Sequence, residues 1–330
     1  VSNVAIKEQI HKLKEELDVS IVAHYYQKDE VFNMADFTGD SLQLAQWAAE
    51  DKKANLIFCG VGFMGQSVKI LAPKKRVLMP KIACCAMARM IDADYYDQNV
   101  QILNEAGISS ENIMPVTYIN SSAEVKARVG QMGGMVCTSS NAKTIITQAL
   151  KSGKKILFVP DKCLGQNIAR DMNLVAKVIG QDTNLQDADI LCYNGFCSVH
   201  QLFEVSDIEF YRKKFPGIKI VTHPECKPEV CEASDFVGST AQMIKYIKSL
   251  PLEQSVAVGT EYNLVQRLRS ANTYVLSATK PTCPTMNETT LGDLHATLLS
   301  IKSQEYMNEI KIDENVAHYA RIALERMFAI

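Results

Sequence analysis

One order of elements occurs three times along this chain, and that repetition restricts the fold more than any other feature. The runs SIVAHYYQ (20–27), IMPVTYINS (113–121) and IKIVTHPEC (218–226) each read as a short strand ending in a polar turn. Those turns are His24-Tyr25-Tyr26, Tyr118-Ile119-Asn120 and His223-Pro224-Glu225. After each run comes a turn opening a helix: DFTGDSLQLAQWAAE from Asp36, MVCTSSNAKTIITQAL from Met135 and DFVGSTAQMIKYIKSL from Asp235. Third comes strand, turn and helix again, as NLIFCGVGFMGQSVKIL, KKILFVPDKCLGQNIAR and SVAVGTEYNLVQRL. Fourth comes a strand with a cysteine soon after it, which places Cys85 (or its neighbour Cys84), Cys197 and Cys283 equivalently.

Strands alternating with helices predict an α/β protein with parallel sheets. The expected architecture is three homologous αβα units, each with a sheet of about four strands, in a pseudo-threefold arrangement around a central site. The expected limits are 1–90, 91–200 and 201–299, with a C-terminal helical segment, 300–330, beside the first unit. Composition fits a packed chain, with 47% hydrophobic and 22% charged residues. With 35 Lys and Arg against 37 Asp and Glu, nothing favours nucleic acid or an anionic membrane as a partner. No run reaches the roughly 18 apolar residues of a membrane span, and VSNVAIKEQIHKLKEELDVS lacks the uncharged core of a secretory signal. A cytoplasmic location is therefore expected.

In open parallel sheets, ligands bind beyond the carboxyl ends of the strands. The distinctive side chains fall at those ends. In a reducing compartment ten cysteines mean metal binding, catalysis or burial rather than disulfides. Three thiolates from three units suit an iron-sulfur cluster with one iron left open; a zinc site or three unrelated core cysteines are the alternatives. The turns Gly39-Asp40-Ser41, Thr138-Ser139-Ser140 and Gly238-Ser239-Thr240 put hydroxyls and N–H groups at helix starts. They read as receptors for carboxylate or phosphate, or as simple N-caps. A competing signal is Gly60-Val61-Gly62-Phe63-Met64-Gly65, which fits the dinucleotide fingerprint. No acidic residue closes the next strand, RVLMP, and the equivalent turns of the other units lack these glycines.

Taken together, AHYYQ (23–27), GDSLQLA (39–45), CAMA (85–88), VTYIN (116–120), CTSSNA (137–142), NGFCSVH (194–200), THPEC (222–226), GST (238–240) and CPTMN (283–287) resemble the quinolinate synthase family over nearly the whole chain. The resemblance implies three αβα domains around a [4Fe-4S] cluster held by Cys85, Cys197 and Cys283. It implies condensation of iminoaspartate, delivered by L-aspartate oxidase, with dihydroxyacetone phosphate to give quinolinate, phosphate and water. His24, Ser41, Tyr118, Asn120, Ser139, His223, Glu225 and Thr240 match the family's substrate contacts, and Tyr26 matches its catalytic tyrosine. Tyr26, His223 and Glu225 are the expected proton carriers. His200, three residues past Cys197, is expected beside that ligand. The doublet Cys84-Cys85 departs from the family's single cysteine; Cys85 keeps the register and Cys84 is read as a bystander.

Overall fold

The computed structural model describes residues 3–330. It holds three wholly parallel sheets with one shared topology. The first contains β1 (Val19–His24), β2 (Phe37–Gly39), β3 (Asn55–Cys59) and β4 (Arg76–Leu78), in the order β2-β1-β3-β4. The second contains β5 (Ile113–Tyr118), β6 (Met135–Cys137), β7 (Lys155–Val159), β8 (Ala176–Val178) and β9 (Ile190–Cys192), in the order β6-β5-β7-β9-β8. The third contains β10 (Lys219–Thr222), β11 (Phe236–Val237), β12 (Val256–Gly259) and β13 (Thr273–Val275), in the order β11-β10-β12-β13. The α/β class and the three helix-covered sheets agree with the sequence reading. The second sheet differs by one strand: three residues long and at an edge, β8 carries too little alternation to be recognised in the sequence.

Each strand feeds both faces of its sheet. In β10, Ile220 joins Ile208, Ile218, Val230 and Ala257 on one side, while Val221 joins Met243, Val256 and Val258 on the other. In β1 all six residues are buried, as expected of a parallel strand covered on both sides. There Val19, Ile21 and Ala23 pack with Ile10 and Leu13 of the helix Asn3–Glu16 and with Leu294 and Leu298 of the helix Leu291–Lys302.

The repeat extends to backbone partners. Asp36 accepts from Ile21 N–H at 2.8 Å, and Asp235 accepts from Ile220 N–H at 2.8 Å. The position equivalent to Ile21 and Ile220 in the second sheet is Pro115, which has no N–H to satisfy. No carboxylate is needed there, and the residue equivalent to Asp36 is Gly134. A Cβ on Gly134 would stand 2.2 Å from the Pro115 carbonyl oxygen.

The chain forms two compact units, 1–85 with 283–318 and 86–282 with 319–330; the first holds one sheet and the second holds two. The C-terminal segment is accordingly shared, where the sequence reading placed all of it beside the first αβα unit. Ile310 N–H donates to the Val77 carbonyl at 2.8 Å, alongside β4. From Tyr319 onward the chain instead packs on the helix Ala123–Gln131: a Cβ on Gly130 would lie 2.0 Å from the Tyr319 carbonyl oxygen, and Arg326 donates to the Gly134 carbonyl at 2.9 Å. Glycine at 130 permits that close approach. Among the described residues no helix is long and apolar enough to cross a membrane.

Candidate active site

The three cysteine loops are anchored alike. Each helix that follows the third strand of its sheet begins with a residue whose N–H donates to the loop carrying the cysteine. Gly62 donates to the Ala83 carbonyl at 2.8 Å, Lys162 to Gly195 at 2.9 Å and Tyr262 to Pro281 at 2.9 Å. The cysteine two residues beyond each acceptor is Cys85, Cys197 or Cys283. Cys84 falls one residue short of that position.

Burial sorts the ten cysteines the same way. Cys59, Cys137, Cys163, Cys192, Cys226 and Cys231 are buried, Cys84 is exposed, and only Cys85, Cys197 and Cys283 are half-buried. Desolvation pushes the Cys59 and Cys163 thiols up to about 12 and raises Cys137, Cys192 and Cys226 as well, which keeps them protonated. A metal site needs thiolates it can reach, which the six sealed cysteines do not offer.

The glycine motif at 60–65 serves the same anchoring. The N–H of Gly62, which a dinucleotide site would turn toward pyrophosphate, is bonded to Ala83, and Gly65 lets the helix pack on Met79.

The register of the sheets also corrects the alignment of the helix-start turns. Pairing of Val22 with Phe37, Val116 with Met135 and Val221 with Phe236 makes Gly39, Cys137 and Gly238 equivalent. The second turn is therefore Cys137-Thr138-Ser139, one residue earlier than the string comparison placed it. Asp40, Thr138 and Ser239 each donate their N–H to the side-chain amide oxygen three residues on, in Gln43 (3.0 Å), Asn141 (2.7 Å) and Gln242 (2.8 Å). One residue later come Ser41, Ser139 and Thr240. Capping falls to Asp40 and Ser239, whose side chains accept from Gln43 and Gln242 N–H, so Ser41 and Thr240 are not the caps. Ser139 lines a cleft of about 280 Å³ with Asn167, Pro224 and Gly238.

At the strand ends, His24 Nδ1 accepts from Tyr26 N–H at 3.1 Å, and His223 Nδ1 accepts from Glu225 N–H at 3.3 Å. Each ring is thereby fixed with its N–H on Nε2, as a donor. The strands stop at His24 and Thr222, so period-two geometry does not align these pairs. A tight turn does, with Gln27 N–H on the His24 carbonyl and Cys226 N–H on the His223 carbonyl, both at 3.0 Å. The Tyr26 ring stands edge-on to His24, centroids 4.6 Å apart.

Tyr118 donates to Glu225 Oε1 at 2.5 Å, and His200 Nδ1 lies 2.8 Å from Glu225 Oε2 and 3.2 Å from Cys197 Sγ. The other His200 nitrogen meets Thr260 Oγ1 at 3.0 Å, and the His200 and His223 rings stack with centroids 4.6 Å apart. Burial opposes ionisation of Glu225, but the two imidazoles and the bonds from His200 and Tyr118 outweigh it and hold the carboxyl below the usual carboxylate range. Cys197, His200 and Glu225 have donor atoms within 4.8 Å of one another. Both His200 nitrogens already have partners, so His200 reads as a link between Cys197 and Glu225 rather than a ligand. Asn120 sits half-buried at the end of its turn. Thus Tyr118, His223 and Glu225 come together with Cys197, and His24 with Tyr26. Thr260 and Asn167 escaped the sequence reading; Thr260 was detectable only as the residue after β12.

Burial pushes the His223 imidazole down to about 3, with Glu225 partly offsetting it. The unfolded chain takes up a proton near 6.5 that the folded one refuses, so stability is full above that pH and is lost as pH falls toward 3. Urea unfolding is expected to show about 2 kcal/mol less stability at pH 5 than at pH 7 from this group. In His223→Gln that part of the difference should vanish; an unchanged acid limb would mean that another group causes it.

A family model described as quinolinate synthetase A protein matches residues 8–329. The chain belongs to the quinolinate synthase family. Quinolinate synthase of Helicobacter pylori strain HPAG1 is 50% identical, over 98% of this chain and 98% of that protein. Those of Streptomyces coelicolor and Listeria innocua are 40% identical, covering 94% and 95% of this chain and 84% and 90% of theirs.

Proposed function

We propose that this chain condenses iminoaspartate with dihydroxyacetone phosphate to quinolinate, phosphate and two waters, as a cytoplasmic step of NAD biosynthesis supplied by L-aspartate oxidase. The observation that carries the reading is the shared anchoring of Cys85, Cys197 and Cys283, each two residues past a carbonyl held by a helix's first N–H. These three would hold one [4Fe-4S] cluster, and the residue limits 1–90, 91–200 and 201–299 would be its three αβα domains. When bound, such a cluster supplies an electrophilic iron that polarises a substrate oxygen.

The remaining steps fall to side chains. A dicarboxylate needs several fixed donors, which the Nε2–H of His24 and His223, the Asn120 amide and the equivalent hydroxyls of Ser41, Ser139 and Thr240 provide. Loss of phosphate, tautomerisation and dehydration each move a proton. Glu225, ionised and accepting from Tyr118, is held too low to be a strong base and takes up a proton only from an acidic intermediate; the Tyr118 and Tyr26 phenols are suited to give one. His200 ties the Glu225 carboxylate to the Cys197 loop, so acid-base group and ligand loop keep a fixed spacing.

The test is an anaerobic assay with iminoaspartate generated from oxaloacetate and ammonia. Phosphate and quinolinate are expected in equal amounts, from brown protein containing iron and sulfide in equal amounts. Iron-loaded protein that releases no phosphate would sink the reading.

A further inference from the structure

We propose that Lys126 is a positioning residue for Tyr118 and Asn120, gripping the turn between them from beneath. The proposal deepens the proposed function, because it rests on Tyr118 and Asn120 touching the substrate. Lys126 lies in the helix Ala123–Gln131 and has no exposed surface. A fully buried lysine is rare and costly unless its ammonium is well bonded. Here Nζ donates to the Ile119 carbonyl at 2.7 Å and to the Ser121 carbonyl. Both acceptors belong to the turn that follows β5, and Asn120 lies between them.

The rest of the turn is closed by weaker, neutral bonds. Ile119 N–H donates to the Cys137 carbonyl and Ser121 N–H to the Ile119 carbonyl, both at 2.8 Å. The Ser121 hydroxyl donates to the Tyr118 carbonyl at 3.0 Å and accepts from Thr117 at 2.9 Å. Lys126 can contribute charge-assisted bonds, roughly twice as strong as neutral ones. Burial lowers its ammonium to about 7, with Glu124 on the same helix opposing the shift; the neutral amine still carries an N–H group for each of the Ile119 and Ser121 carbonyls.

The repeat supports this role independently. Counting ten residues from Val22, Val116 and Val221, which the sheet register makes equivalent, Phe32, Lys126 and Cys231 occupy one position in the three units. Cys231 likewise donates to carbonyls of its own strand-end turn, His223 and Cys226, both at 3.6 Å. Asn167 adds bonds to Pro224 at 2.8 Å and Cys226 at 2.9 Å. In the first unit the place is taken by Phe32, whose ring lies against Tyr25 of the turn. A side chain from the same helical position supports the strand-end turn each time, and only the chemistry differs.

Lys126→Met keeps the stem and removes the donors. Hydrogen exchange of the 118–122 segment is expected to accelerate about tenfold, with exchange elsewhere unchanged, and quinolinate is expected to bind about tenfold more weakly. On a Tyr118→Phe/Asn120→Ala background, Lys126→Met should cost at most about twofold further in quinolinate affinity, because its effect passes through those two residues. Unchanged exchange in the folded variant would overturn the grip. Faster exchange with unchanged affinity, or full multiplication of the penalties, would overturn the positioning role. Should the methionine variant not fold, Lys126→Gln gives the same readouts with a shorter donor, and failure of both to fold would make Lys126 a stability element instead. Wild-type protein that binds no quinolinate would remove the functional reading, while the exchange result would still decide the grip.

Discussion

Cys85→Ser, Cys197→Ser and Cys283→Ser are each expected to lose the iron-sulfur cluster and all measurable turnover, whereas Cys84→Ser and Cys137→Ser retain both. A serine hydroxyl stays protonated where a thiol ionises, so it cannot replace a thiolate ligand. The contrast between neighbours is the sharper half of the prediction. Cys85 stands two residues past the Ala83 carbonyl held by Gly62, the spacing that Cys197 and Cys283 repeat from Gly195 and Pro281. Cys84 misses that place by one and is exposed; Cys137 is sealed in β6 with its thiol raised by burial. Iron and sulfide analysis of the five anaerobic variants decides the matter. A full cluster in any of the first three removes that ligand, and loss in Cys84→Ser would exchange the roles of the doublet.

Tyr26→Phe is expected to lower turnover by about 10² to 10⁴, the usual worth of one acid-base group, with fold and cluster unchanged. The phenyl ring preserves the edge-on contact with His24, and the Tyr26 N–H that orients His24 belongs to the backbone. Only the hydroxyl is lost. Binding of quinolinate should change little, since Ser139, Asn120, Thr240 and His223 remain, so the defect belongs in kcat rather than KM. Steady-state kinetics beside an iron assay provide the check. Normal turnover would leave Tyr26 a packing residue, and a lost cluster would make it a structural one.

The parts of the site that were legible before folding are those governed by local chemistry. A polar turn after a β-branched run marks a strand end, which is why His24, Tyr118 and His223 could be paired by eye, and with them Tyr26, Asn120 and Glu225 two positions on. Even the exchange of Ile21 and Asp36 for Pro115 and Gly134 is written in the chain, although its logic emerges only once β-pairing shows which N–H the carboxylate serves. Loops without such a marker leave their register open in the sequence. The second helix-start turn lies one residue earlier than its hydroxyls suggest, because Thr138, Ser139 and Ser140 are chemically interchangeable and only hydrogen-bonded register distinguishes them. The short edge strand β8 was invisible for a similar reason.

The order of elements, the parallel sheets and the equivalence of the three cysteines thus follow from sequence alone, since periodicity and turn chemistry act between near neighbours. What tertiary structure alone decided is which distant groups meet. Tyr118 and Glu225 are 107 positions apart yet share a 2.5 Å hydrogen bond. His200 and Thr260 meet across 60 positions and Asn167 and Pro224 across 57, while Lys126, only 7 positions from Ile119, becomes a buried donor because its helix folds back under the turn. The protonation of His223, Glu225 and Lys126 follows from such placement, because burial and neighbouring charge, neither of them a property of local sequence, set whether an imidazole, carboxyl or ammonium is charged.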